Sequence, residues 1–177
     1  MRKWIATLAV CGVAGVAYAQ EGPGLGVPAT PEQVAGWDIS IGPDGAGLPP
    51  GSGTAAPGKV VYDAKCVACH GVDGAGRPND VLVGGQGTLR DAAPIRTIGS
   101  YWPYATTVFD YVRRAMPQTA PGSLTDHEVY ALTAYLLAAN QVIPMDATLD
   151  AESLRNVQMP YRDRFVPDNR RGGRDVK

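Results

Sequence analysis

The chain has 177 residues, of which 16 are basic and 17 acidic, so its formal net charge is −1. This balance excludes a basic protein that binds nucleic acid through its charge. The length suits one domain with flanking segments and is too short for two full hydrophobic cores. We therefore expect a single structured domain with extensions.

Residues 1–19 have the three parts of a secretory signal peptide. Two basic residues near the start precede an apolar stretch, 4–16, which leads to the small-residue cleavage pattern Ala17-Tyr18-Ala19. The apolar stretch is shorter than the roughly 20 residues of a transmembrane helix, which disfavours a retained anchor. Lipid attachment at Cys11 is disfavoured, because Val10 is large for the position before the cysteine in a lipoprotein signal. We expect cleavage near Ala19, a periplasmic protein and no membrane span in the mature chain.

Residues 20–56 are dense in glycine and proline, which oppose both helix and strand, and they predict an extended arm. Within this arm Trp37, Ile39 and Ile41 alternate with polar residues, so an extended piece would place three apolar side chains on one face. That face could pack against the chain's own domain, or it could receive a partner by strand addition. The sequence leaves both possibilities open.

Three helices are predicted after the arm. The first runs from Gly58 to Cys69 and is followed by a loop, 70–93, that is rich in glycine. The second spans Pro103 to Ala115 and has one apolar stripe, and the third spans Asp126 to Asn140. Its start is marked by a capping box, formed by Thr125 and Glu128.

The apolar period fades after Pro144, where further prolines interrupt any helix. Residues 143–177 therefore predict an extended C-terminal tail, either solvated or bound to a partner. The domain between the two arms is expected at 57–142.

Cys66, Cys69 and His70 form the strongest chemical motif. Two thiols separated by two residues can add to both vinyl groups of a haem, and the adjacent histidine can ligate its iron. A zinc site would need two more ligands, and a thioredoxin-like pair would need a strand-helix-strand pattern. A disulfide would leave His70 without a purpose. The motif predicts one covalently bound haem c.

The second axial position of the iron has four candidates in the sequence. Met116 stands between the second and third predicted helices, where a tight turn can present its sulfur to the haem face opposite His70. Met145 and Met159 lie in the tail and fit packing or surface roles, and His127 fits an exposed position in a helix start. We predict Met116, a ligand that raises the reduction potential relative to a second histidine.

Other residues are expected around the haem. The Pro78 carbonyl is the predicted acceptor for His70 Nδ1, a contact that would fix the orientation of the ring. Candidate wall residues are Trp102, Tyr104, Phe109 and Leu136. Candidate partners of the haem propionates are Arg77, Arg113 and Arg114.

The segment from Gly58 to Asn140 resembles class I cytochromes c. The matching residues are Gly58-Lys59-Val60-Val61-Tyr62, Cys66 to Gly71, Ala115-Met116-Pro117 and Leu124 to Val129. The resemblance implies an all-α fold in which three to four helices surround a covalent haem. It also implies that the first and last helices cross near Gly58 and Tyr135, with His70 and Met116 as the axial ligands.

A narrower resemblance covers nearly all of the mature chain. It rests on Gly45 to Gly53, Thr97 to Ala105, Phe109-Asp110-Tyr111, Gln158-Met159-Pro160 and Phe165-Val166-Pro167. These segments are similar to the cytochrome subunits of sulfite dehydrogenases and sulfane dehydrogenases. The resemblance implies a molybdenum-containing partner subunit that oxidises a sulfur compound. Sulfane dehydrogenase cytochromes often carry two haems, whereas this chain has one attachment motif.

The expected function is electron transfer by a subunit that is not catalytic alone. It would accept single electrons from a periplasmic dehydrogenase and pass them to a downstream cytochrome c or oxidase. The flanking arms favour this role because a free shuttle seldom needs them. A diffusible shuttle, and a haem enzyme or sensor with an open sixth position, remain the alternatives.

Overall fold

The computed structural model describes residues 25–166, so the predicted signal peptide at 1–19 and the last part of the tail lie outside the described residues. Contacts divide the chain into two units, 1–36 and 37–177. No helix within 25–166 is long and apolar enough to cross a membrane.

Helix α1 spans Pro31–Trp37, within the arm that was expected to be irregular. Thr30 and Gln33 explain it, because each backbone N–H donates to the other's side-chain oxygen, at 2.9 and 3.3 Å. Pro31 occupies the first helical position, where its missing N–H costs nothing. A local cap has therefore outweighed the composition of the arm.

The predicted apolar face of Trp37, Ile39 and Ile41 is wrong. Ile41 is buried, whereas Ile39 is 39% exposed and Trp37 is 88% exposed. The alternation fails because Trp37 ends α1 and does not begin an extended segment. Ile41 is fixed by its backbone N–H, which donates to Asp110 Oδ1 at 2.8 Å. This end of the arm packs against its own domain.

The first predicted helix starts earlier and is divided in two. Strand β1, Ser52–Thr54, leads directly into helix α2, Ala55–Lys65, and helix α3 follows at Val67–His70. Cys66 separates the two helices with a backbone outside the helical region. The chain therefore changes direction at the first motif cysteine.

Helix α4 spans Ala105–Ala115 and helix α5 spans Asp126–Ala139, in agreement with the predicted positions to within two residues. The capping box of Thr125 and Glu128 is confirmed. Every residue of α5 from 129 to 138 is buried, so this helix is the centre of the core. Helix α2 crosses α5 at Gly58, where an added Cβ would overlap the Ala131 carbonyl.

The expected extended tail is wrong for the part that follows Pro144. Strand β2, Thr148–Asp150, pairs antiparallel with β1, and helix α6 follows at Ala151–Asn156. The buried side chains of this segment are Leu149, Leu154 and Met159. Elements this short show no apolar period, which is why the pattern missed them. The two-stranded sheet also means that the domain is not purely helical.

We predict that Gly58→Ala will destabilise the protein by about 1–3 kcal/mol, the usual cost of overpacking. The added methyl meets the backbone of Ala131, which cannot move as a side chain would, and lies 2.9 Å from Tyr135 Cβ. Urea unfolding of the haem-loaded protein measures the change. Gly36→Ala in α1 is the matched control, since nothing lies within 4 Å of its added Cβ. Equal stability of the two variants would contradict the crossing.

Candidate haem site

A cavity of about 600 Å³ brings the motif residues together with Met116. This volume lies within the range of small-molecule and cofactor sites. Cys66, Cys69 and His70 line this cavity, and so does Met116 at the end of α4. The structure thus gathers the predicted attachment residues and the predicted second ligand around one space.

The motif cysteines lie where α2 gives way to α3. The backbone N–H groups of Cys69 and His70 both donate to the Cys66 carbonyl, at 3.1 and 2.9 Å, which closes a tight turn. Burial raises the pKa of the Cys66 thiol to about 11. This position therefore favours an uncharged sulfur, which is what a thioether to haem provides. The two cysteines are not joined to each other in the structure.

The His70 ring is oriented by a backbone carbonyl, but a different one from that predicted. Its Nδ1 lies 2.9 Å from the Asp80 oxygen, whereas Pro78 contributes to the cavity wall. The shift arises because the Asn79 N–H donates to the Cys69 carbonyl at 2.8 Å, which brings the chain back towards the motif. A carbonyl only accepts, so Nδ1 carries the proton and the Nε2 lone pair is left for a metal.

Met116 follows α4 as its C-cap, and its backbone N–H donates to Val112 at 3.1 Å. The other candidate ligands do not line the cavity. Met145 is 62% exposed and Met159 is buried in the core. His127 is exposed, and its Nδ1 lies 2.9 Å from the Ser52 carbonyl, so it contacts β1.

The predicted wall is partly reproduced. Trp102 and Leu136 line the cavity, whereas Phe109 packs on Tyr130 with ring centroids 4.5 Å apart. Tyr104 instead lies beneath the Arg162 guanidinium, at 5.1 Å. Sequence reasoning missed several apolar wall residues, namely Tyr62, Leu82, Ile98, Val108, Val112 and Leu132. Helical spacing could have identified three of them. Val108 and Val112 precede Met116 by two turns and one turn, and Leu132 precedes Leu136 by one turn.

The predicted propionate partners are engaged elsewhere. Arg113 Nε donates to Asp126 Oδ1 at 2.9 Å, and Arg114 forms an ion pair with Asp110. Neither of them lines the cavity, and Arg77 does not line it either. Arg114 and Asp110 form an i,i+4 pair within α4, whereas Arg113 pairs with Asp126 in the first turn of α5.

Two other cationic side chains do line the cavity. Lys65 pairs with Glu128 at 3.0 Å, and Arg96 lies 5.5 Å from the Tyr101 ring centroid. Arg96 has no particular sequence signal, because it stands in an irregular loop. Within residues 25–166, no group of three or more His, Cys, Asp or Glu side chains is placed to hold a metal ion.

Comparisons with known proteins identify the family of the chain. A family model described as cytochrome c oxidase, cbb3-type, subunit III, matches residues 53–136. A solved structure of the sulfane dehydrogenase SoxCD from Paracoccus pantotrophus contains a chain 43% identical, with a TM-score of 0.77. The match covers 83% of this chain and 73% of that one. The chain belongs to the cytochrome c family.

A second relative of this cytochrome c is more distant. Thiosulfate dehydrogenase from Stutzerimonas stutzeri (strain A1501) is 25% identical over 152 residues. Those residues are 83% of this chain but only 41% of the relative, so the cytochrome spans less than half of that protein's length.

The cytochrome carries covalently bound haem c, and its residues fit that group. The residues that line the cavity supply two cysteine sulfur atoms, an imidazole held at Nδ1 and a thioether, among many apolar side chains. Neutral sulfur and nitrogen donors in apolar surroundings are the usual environment of a haem that exchanges electrons. The chain therefore transfers electrons through its haem.

We predict that Asp110→Asn will lower the free energy of unfolding at pH 7 by about 1–3 kcal/mol, because charged hydrogen bonds are lost. Burial alone would raise the pKa of Asp110, but the bonds from Arg114 and the Ile41 N–H outweigh it and hold the pKa below its usual 3.8. This stabilisation is present above the unfolded value and is lost as the pH falls through the lower folded pKa.

Denaturant unfolding across a pH series checks this prediction, with the two proteins converging at strongly acidic pH. Asp63→Asn is the control, because Asp63 pairs with Lys59 in an exposed i,i+4 arrangement. Such a pair contributes about 0.3–0.5 kcal/mol. A similar loss in both variants, or a loss at Asp110 that does not depend on pH, would contradict the assignment.

Proposed function

We propose that this cytochrome c is the electron-transfer subunit of a periplasmic dehydrogenase that oxidises an inorganic sulfur compound, such as sulfite or sulfane sulfur. The observation that carries the proposal is the extent of the likeness to the sulfane dehydrogenase chain. That likeness covers 83% of this chain, whereas the general family model matches only 53–136. The segments that flank the haem domain are therefore shared as well, and a generic carrier has no need of them.

Within this proposal Cys66 and Cys69 would hold the haem through thioether bonds, and His70 and Met116 would bind its iron. When bound, the haem supplies a one-electron couple. The Asp80 carbonyl fixes the His70 ring, and apolar residues such as Leu132 exclude water. If His70 and Met116 both bound the iron, they would leave no place on it for a substrate, and the chain would transfer electrons without being catalytic alone.

The proposed donor is a molybdenum-containing subunit, as the resemblance to sulfite and sulfane dehydrogenases implies. Oxidation at sulfur releases electrons in pairs, whereas one haem would supply a one-electron couple. The proposed acceptor is a downstream cytochrome c or oxidase. The arm supports a permanent partner, because its Trp37 side chain is 88% exposed. A large aromatic side chain of this kind is a frequent anchor of protein interfaces.

Two alternatives make different predictions. A diffusible shuttle would show the same haem spectrum but would purify without a partner. A haem enzyme or sensor would have an open sixth position, which the placement of Met116 in the cavity wall opposes.

We predict that Met116→Ala will abolish the near-red absorption of the ferric protein and convert its haem to a high-spin form. The absorption arises from a methionine sulfur on ferric iron, so it reports the ligand directly. Met145→Ala and Met159→Ala are the controls, one exposed and one buried in the core. Both controls should keep the absorption, and its loss only in Met159→Ala would reassign the ligand.

We predict that a molybdenum-containing subunit will copurify with the protein from its native host. Deletion of the tail is a poor test, because β2 and α6 belong to the fold. The Trp37→Ala variant is a better test of partner binding, because truncation of an anchoring tryptophan weakens association by about 10-fold or more. Val60→Ala is the control, because Val60 is 70% exposed on α2 and outside the arm.

Metal analysis and the haem spectrum are measured on the same preparations. The expected result is less copurifying molybdenum in Trp37→Ala, an unchanged amount in Val60→Ala, and the same haem spectrum in both. A haem protein free of molybdenum from every preparation would favour the diffusible shuttle.

A further inference from the structure

Asn140 is a buried polar residue that joins the end of α5 to the glycine-rich loop. It is only 3% exposed, and both ends of its side chain are used. Its Oδ1 accepts from the Gly84 N–H at 3.1 Å, and its Nδ2 donates to the Leu82 carbonyl at 3.0 Å. Nδ2 also donates to the Leu136 carbonyl at 2.9 Å, within the last turn of the helix. The backbone carbonyl of Asn140 accepts from Gln86 at 3.2 Å.

Asn140 makes more hydrogen bonds than are required to satisfy the end of a helix. The contact with Leu136 alone would satisfy a carbonyl of the last turn. The bonds to Leu82, Gly84 and Gln86 instead attach a loop that is more than fifty residues away in sequence. Gly99 packs closely on the same amide, since an added Cβ would lie 2.6 Å from Asn140 Oδ1.

The loop held by Asn140 also contains the carbonyl that orients His70. Asp80 precedes Leu82 by two residues, and its oxygen lies 2.9 Å from His70 Nδ1. Leu82 is fixed on its other side by its N–H, which donates to Gly74 at 2.8 Å. Its carbonyl is shared between Asn140 and the Ile98 N–H, at 3.0 and 3.3 Å. A short, well-held segment therefore connects Asn140 to the Asp80 carbonyl.

We propose that Asn140 is a positioning residue for His70, acting through the segment from Asp80 to Leu82. By holding Leu82, it keeps the Asp80 carbonyl in place to accept the proton of His70 Nδ1. Such contacts around a metal-ligating histidine fix the ring and tune its basicity. The inference depends on His70 as the axial ligand, which is part of the proposed function.

The test is the solvent exchange of the His70 Nδ1 proton, followed by NMR through its hyperfine-shifted signal in the ferric protein. We expect Asn140→Leu, which keeps the volume but loses the bonds, to exchange this proton about tenfold faster. That factor corresponds to about 1.4 kcal/mol, the order of the net contribution of one hydrogen bond. The near-red methionine absorption should be retained, because Met116 lies outside this loop.

Two controls separate this local effect from a general loss of stability. Thr133→Val is nearly isosteric, lies in α5, and removes a buried hydroxyl that has no partner within the described residues. Gly58→Ala destabilises the domain at the helix crossing, away from Asn140. Both should leave the exchange of the His70 proton close to that of the unaltered protein. If Asn140→Leu does not fold, the exchange of the His70 Nδ1 proton is measured in Asn140→Ala, where it should also be faster.

Unchanged exchange in the Asn140 variants would overturn the inference. Equally fast exchange in Gly58→Ala would also overturn it, because the effect would then be global. A His70 ring without a hyperfine shift in the unaltered protein would instead refute the axial assignment, and this inference with it.

Discussion

The close crossing of α2 and α5 at Gly58 determines where the haem site lies. Because Gly58 has no side chain, the backbone of α2 comes into contact with the Ala131 carbonyl, and Tyr62 stacks against Tyr135 with ring centroids 5.2 Å apart. Helix α2 ends next to Cys66, which lines the same cavity as Leu132 of the buried helix α5. A wider crossing would leave the cavity without one of its walls.

The flanking segments are part of the domain as well as candidates for a partner. Ile41 is attached to Asp110, and β1 is attached to β2, so both flanks add to the core. Fewer apolar side chains of the flanks are exposed than their glycine- and proline-rich composition suggests. Trp37 is exposed, whereas Leu149 and Leu154 are buried. Glycine and proline content therefore does not by itself distinguish a docking arm from a segment of the fold.

The sequence predicted the elements whose signals are local. The motif at Cys66 to His70, the long helices α4 and α5, and the position of Met116 all depend on spacing within a few residues. The pairing of Ser52 with Asp150 was not predictable, because three-residue strands carry no period and their partners are far apart in sequence. The acceptor of His70 differed by two residues for a similar reason, since a turn decides which carbonyl reaches the ring.

The pairing of β1 with β2 has a mechanical consequence. Ser52 stands opposite Asp150, so the two flanks leave the sheet at the same end. A force that pulls the two flanks apart would separate the strand pairs one after another, beginning with Ser52 and Asp150. Helices α2 to α5, which position the residues of the cavity, lie between the two strands in sequence. The two short strands thus hold together both ends of the segment between them, 55–147, and close it into a loop.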